Sequence, residues 1–204
     1  MASYLTKALL VLFLFFTSLF ANEQLLEEIY ENILIKYSSI KTYEANFLQE
    51  NYWKELNTFK QSFGKIYYDS SHLLLDYEEP AGQKLLIANC DITIHEPSAN
   101  QALMSDEINI ELRPVKFISL YWHVSQKELI EHDDVNIRIK LFTPEKEQIF
   151  IHVNDSLITE FLILDECENS VIYKFSSEKF NIPLPESIFE LNLPEDTNII
   201  DNRK

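Results

Sequence analysis

Two periodicities divide this chain. Over residues 22–40 apolar side chains recur every three or four positions, and Leu25, Ile29, Ile33, Tyr37 and Ile40 form one stripe. That spacing predicts an amphipathic helix. Glu23, Glu27 and Glu28 lie near its start, where the helix dipole favours negative charge. From Tyr43 onward the period falls to two. Ala45, Phe47 and Gln49 share one face of a first strand, and Ile66 and Tyr68 one face of a second. Leu73, Leu75 and Tyr77 share a face of a third, with Leu74 and Asp76 turned away. Leu85 and Ile87 continue in a fourth, and Ile92 and Ile94 in a fifth that ends at Pro97.

Residues 98–134 are less regular. Pro114 opens a short predicted helix over 114–124, since proline suits the first helical turn. Ser125 and Glu128 have the spacing of a capping box and predict a further helical segment over 125–133. The clearest alternation follows: Val135, Ile137, Ile139 and Leu141 face one way, Asn136, Arg138 and Lys140 the other. Apolar runs over 148–153, 157–164 and 171–175 predict three more strands, joined by turns at Asn154 and Asp155 and near Glu168 and Asn169. The sum is a mainly β, α+β chain of about ten to eleven strands. It reads as an antiparallel sheet curled on itself, with helices on the concave side.

The first residues change the picture of where the chain resides. Behind Lys7 runs an apolar stretch over 8–20, short for a membrane helix and right for the core of a secretion signal. Ala21 is the expected last residue of that signal, with Leu19 at the minus-three position. Residues 1–21 are therefore expected to be removed, leaving 22–204 as one domain; an uncleaved N-terminal anchor is the other reading. No cysteine follows the cleavage point, so the chain itself is not expected to be lipid-anchored.

Thirty-three acidic side chains face 17 basic ones, a net charge of −16. Such a surface repels phosphate backbones and anionic headgroups, which argues against nucleic-acid binding, and it attracts a basic patch on a partner. The two cysteines, Cys90 and Cys167, either pair or remain free in an exported chain. A disulfide closing so long a loop would stabilise the fold by roughly 4 kcal/mol. Enzyme chemistry has little support. The five histidines are scattered, there are two glycines, and G-x-S-x-G, H-E-x-x-H and phosphate-loop patterns are missing. His132, Asp133 and Asp134 read as a solvated acidic turn. No cofactor and no metal are expected.

Three stretches in order carry a family resemblance. Tyr43, Ala45, Phe47 and Gln49 make an aromatic-x-A-x-F-x-Q strand. Gly64, Ile66 and Tyr67 open the next, and the third ends in Glu78-Glu79-Pro80 before QKLLIAN. Near the end, Asn181, Pro183, Leu184, Phe189 and Pro194 precede Ile199-Ile200-Asp201. This order resembles the LolA family of periplasmic outer-membrane lipoprotein carriers. Departures are local: Leu74 stands where many members have an arginine that latches the lid helices, Cys90 replaces a turn glycine, and 92–97 lacks an aromatic pair.

The resemblance implies an incomplete antiparallel barrel whose helices cover an apolar cavity. It implies a periplasmic, monomeric chaperone that shuttles acylated lipoproteins from the inner to the outer membrane. Cargo would come from an inner-membrane lipoprotein-releasing ABC transporter and pass to an outer-membrane acceptor. A carrier of another lipid or amphiphile on the same fold is the alternative. The expected cavity wall is Phe47, Ile66, Tyr68, Leu73, Leu75, Tyr77, Leu85 and Ile87. The expected lid is Leu25, Ile29, Ile33 and Tyr37 with Phe117, Ile118 and Tyr121. Without the family arginine, a loosely closed lid is expected.

Overall fold

A computed structural model describes residues 22–88, 91–106, 112–133 and 135–203. The predicted signal, residues 1–21, lies outside them, as do Cys90 and Asp134. The first helix, α1, covers residues 22–38. Six strands follow: β1 (Tyr43–Trp53), β2 (Thr58–Tyr68), β3 (His72–Glu79), β4 (Lys84–Ala88), β5 (Asp91–Glu96) and β6 (Gln101–Ser105). The second helix, α2, is Pro114–Trp122. Then come β7 (Gln126–His132), β8 (Asn136–Phe142), β9 (Gln148–Asn154), β10 (Leu157–Leu164), β11 (Ser170–Phe180) and β12 (Asn198–Asp201).

All twelve strands form one open sheet in the order β12-β6-β5-β4-β3-β2-β1-β11-β10-β9-β8-β7. Every pairing is antiparallel except β12 with β6. Each neighbouring pair adds about 20–25° of twist, so a sheet of this width curls. The fold is the half-barrel the alternation predicts, with twelve strands where about ten to eleven are expected. One element changes type. Residues 126–132 are strand β7, where the Ser125–Glu128 spacing predicts helix. The Ser125 amide donates to the Tyr121 carbonyl at 3.1 Å, so this serine ends α2 and starts no new helix. Pairing with β8, Leu129 opposite Ile139 and Glu128 opposite Lys140, then overrides the local propensity.

Cross-strand register shows how one face becomes the inside. Tyr43, Tyr68, Leu73, Ile87 and Ile92 stand opposite one another in one row across β1–β5. Gln49, Tyr173, Phe161, Ile151 and Ile139 make a second row across β1, β11, β10, β9 and β8. Apart from Gln49 these side chains are buried in one continuous core. The same core includes Leu26, Ile29, Tyr30, Ile33 and Tyr37 of α1 and Phe117, Ile118 and Trp122 of α2. Both helices therefore lie on the concave face.

The convex face has a cover of its own. After β11 the chain turns at Asn181, whose side chain accepts from the Lys41 amide at 2.7 Å and donates to the Ser39 carbonyl at 3.0 Å. It then runs through a short 3-10 turn, Glu186–Phe189, to β12. Phe189 stacks on His72 at 4.9 Å. Leu74 lies two residues along β3 from His72, on that same face, and is 1% exposed. The position of the family's arginine thus points away from α1 and α2, and its replacement leaves the seam between those helices untouched.

Gly64 sits where β1, β2 and β3 meet. A Cβ there would lie 2.1 Å from the Asp76 carbonyl oxygen and 2.8 Å from Tyr77 Cα, both backbone atoms that cannot swing aside. Gly64→Ala is expected to lower the free energy of unfolding by about 2 kcal/mol or more, seen as a reduced urea midpoint at unchanged slope.

Candidate functional site

The two helices are fastened to each other as well as to the sheet. Tyr30 of α1 stacks on Trp122 of α2 with centroids 4.5 Å apart and planes 8° from parallel. The Tyr30 hydroxyl donates to Ser119 Oγ at 3.1 Å. Trp122 Nε1 donates to both carboxylate oxygens of Glu27 at 3.2 Å. Lys127 of β7 completes the group, 3.6 Å from Glu27 Oε1 and 5.4 Å from the centre of the Trp122 ring. A stacked pair contributes about 0.5–1.5 kcal/mol beyond its buried area. A hydrogen bond to a charged group contributes about 1.5–3 kcal/mol. Lower on α1, the Tyr37 hydroxyl accepts from the Ile158 amide at 3.1 Å, and burial pushes its pKa well up, so it stays neutral.

Of the expected lid residues, Ile29, Ile33, Tyr37, Phe117 and Ile118 are buried, while Leu25 and Tyr121 are half-buried. Sequence reasoning missed Leu26, Tyr30 and Trp122. The buried stripe of α1 keeps Ile29, Ile33 and Tyr37 of the predicted one and takes in Leu26 and Tyr30 in place of Leu25 and Ile40. That set fits the helical period equally well, and only the partner Trp122 decides between them.

The eight residues expected as cavity wall share the concave face. Phe47, Ile66, Tyr68, Leu73, Leu75, Tyr77, Leu85 and Ile87 are all buried, at 0–7% exposure. They pack among themselves: Tyr43 stacks on Tyr68 at 4.6 Å, and Phe47 meets Tyr77 edge-on at 5.0 Å. The Tyr77 hydroxyl donates to Gln49 Oε1 at 3.0 Å, and burial pushes its pKa up to about 12.

Open space lies further along the same face. Beneath α2 is a groove of about 270 Å³. Phe161, Ile163, Val171 and Tyr173 form its floor, and Leu112, Phe117, Leu120 and Tyr121 its roof. Phe117 stacks on Phe161 at 4.1 Å, closing the inner end. Gln49 and Asn51 of β1 give it a polar side wall. At the outer end the groove passes under Tyr121 into a wider mouth of about 370 Å³ bounded by Tyr52, Trp53, Glu147, Asp165 and Asn169. Asn51, Tyr121, Ile163 and Val171 line both parts, so the two are one continuous space.

Helix length explains the gap. The 17 residues of α1 span about 25 Å and the nine of α2 about 13 Å. The short helix leaves the ends of β1, β10 and β11 uncovered. Side chains here have an apolar floor and an acidic rim. Burial, then Glu145 and Asp165, hold the Glu147 carboxyl above its ordinary pKa. Asp165 is held below the usual range by the Asn169 side chain and by backbone amides. Such a site has the shape and polarity to hold an apolar chain with a polar end at the mouth.

Cys167 is an exposed free thiol in the turn between β10 and β11. Its proposed partner, Cys90, lies outside the described residues. The register places Ala88 at the His72 and Tyr68 end of the sheet and the turn after Leu164 at the opposite, Tyr52 end. Asp133, in the turn read as acidic and solvated, accepts from the Val135 and Asn136 amides at 2.9 and 2.7 Å.

An open, curled sheet with two helices on an apolar concave face defines a half-barrel. Its sequence matches the family model "Outer membrane lipoprotein carrier protein LolA" over residues 38–192, and the chain belongs to that family. No curated protein matches it. Among solved structures, it is similar to an uncharacterised conserved protein from Thermus thermophilus, with 14% identity, 86% of this chain and 98% of that one covered, and a TM-score of 0.57. It is similar to MucB at 14% identity, covering 80% of this chain and 62% of MucB, with a TM-score of 0.53. A LolA superfamily protein from Nitrosomonas europaea aligns at 14% identity over 79% and 97% of the two chains, with a TM-score of 0.44.

Trp122→Ala removes the stack, the Glu27 hydrogen bond and a fully buried ring together. It is expected to cost about 3–5 kcal/mol. Amide exchange over residues 26–37 is expected to quicken more than in β1 and β2. Equal acceleration in helix and sheet would show that Trp122 supports the whole core and does not specifically fasten α1.

Proposed function

We propose that this protein is a periplasmic carrier of acylated lipoproteins, exported by removal of residues 1–21 and active as a single-domain monomer. The observation behind this reading is the apolar groove beneath α2, open at one end of the concave face, in a chain of the lipoprotein-carrier family. An acyl chain entering at Tyr121 would run inward over Val171, Ile163, Tyr173 and Phe161. Each CH₂ removed from water contributes about 0.8 kcal/mol. No covalent step, metal or cofactor is needed.

At about 270 Å³ the groove lies just below the volume of common ligand sites, roughly 300–1,000 Å³. One chain fills it. A lipoprotein with two or three chains requires the helices to lift, exposing Phe47, Leu75, Leu85 and Ile87 as further wall. The Tyr30–Trp122 seam then acts as the closure that shields this surface when the carrier is empty. Cargo would be taken from an inner-membrane lipoprotein-releasing ABC transporter and handed to an outer-membrane acceptor. The modest space beneath α2 also favours a second reading, a periplasmic carrier of a single-chain lipid or another amphiphile.

The test adds purified protein from residue 22 onward to spheroplasts making a labelled outer-membrane-type lipoprotein. Appearance of the lipoprotein in the soluble fraction as a one-to-one complex is expected. Failure of release, with a free lipid bound in native mass spectra of the same sample, would replace this reading with the second one.

A further inference from the structure

The rim of the groove carries an unbalanced charge that the packing does not require. Two turns border the mouth, 143–147 and 165–169, and together they present Glu145, Glu147, Asp165, Glu166 and Glu168. The cations nearby are engaged. Lys54 pairs with Glu168, and Lys146 pairs with Glu166 at 2.9 Å. Asp165 is engaged too, accepting from the Asn169 amide and side chain at 2.8 Å each. Glu147 differs. It lines the mouth, half-buried, and no side chain among the described residues donates to it. Its neighbours Glu145 and Asp165 repel it, and its partial burial removes water that would otherwise solvate the charge.

Resting on the carrier reading, we infer that this site selects its ligand by head charge. It takes an acyl chain whose head bears a positive charge, such as the free amine of a lipid-modified peptide terminus. It disfavours a chain ending in phosphate, sulfate or carboxylate. A chain lying on Phe161 and Val171 leaves its head beside Glu147, Tyr121 and Asn51, because these line the passage from groove to mouth. A cation there supplies the partner that Glu147 lacks. An anion there meets Glu147 and Asp165, which line the same mouth.

The test is a competition assay with the purified exported protein holding a neutral fluorescent apolar probe. Three competitors share one chain and differ in head: dodecyltrimethylammonium, dodecyl maltoside and dodecyl sulfate, each below the concentration at which it forms micelles. The expected order of affinity is ammonium, maltoside, sulfate. Glu147→Gln is expected to narrow the ammonium-to-sulfate ratio about two- to five-fold, the size of one partly exposed charge pair. Glu186→Gln, on the convex side, is expected to leave the ratio unchanged and so separates the local charge from the net charge of −16. Equal binding of all three heads, or an equal shift in both variants, would overturn the selectivity while leaving the carrier reading intact. If none of the three displaces the probe, maltoside included, the carrier reading itself fails and the inference falls with it.

Discussion

An apolar face as wide as a twelve-stranded sheet has to be kept from water, and every other feature of this molecule answers to that need. The alternation of β1–β5 and β8–β11 commits their inward side chains to one surface. The twist of the strands curls that surface into a trough. α1 fills most of it with Leu26, Ile29, Ile33 and Tyr37, and α2 adds Phe117, Ile118 and Trp122. Neither helix has enough local stabilisation to persist alone at this length; the apolar trough holds them in place. The seam between them, Tyr30 on Trp122 with Glu27 beneath, makes the cover one unit. The groove runs beneath the nine-residue α2, and its mouth lies where that cover ends.

Part of the trough was legible in the sequence. Parity grouped Ala45 with Phe47, Ile66 with Tyr68, Leu73 with Leu75 and Tyr77, and Leu85 with Ile87; the resemblance alone chose the inward side of β3, and all nine are buried. Period cannot say where a covered face is tightly filled and where it is open. That depends on contacts between segments far apart in the chain, such as Phe117 on Phe161 and Tyr121 over Val171. It depends as well on the length of α2, which its Pro114 start does not fix. Strand β7 was misread for a related reason. Ser125 and Glu128 satisfy a local helix rule, and the exposed edge of β8 outweighs it by offering a full ladder of backbone hydrogen bonds. Leu74 stands at the latch position of the resemblance, yet strand parity already turns it away from Leu73, Leu75 and Tyr77. It belongs to the convex side, under the C-terminal segment that ends in β12.

Charge and shape divide the work at the groove. The floor is aromatic and aliphatic and holds whatever is apolar, with little regard for detail. The proposed selectivity falls to the rim, where Glu147 and Asp165 line the opening. The net charge of −16 repels anionic membrane surfaces, in keeping with the proposed carrier role.

The central claim is that the apolar chain lies beneath α2, over β10 and β11. A lipopeptide bearing a photoreactive group at the end of its acyl chain tests this directly. After binding, irradiation and digestion, mass spectrometry identifies the attached residues. The account predicts attachment to Phe117, Phe161, Ile163 and Tyr173. Attachment confined to the convex face, for instance at Phe150 or Leu162, would contradict it.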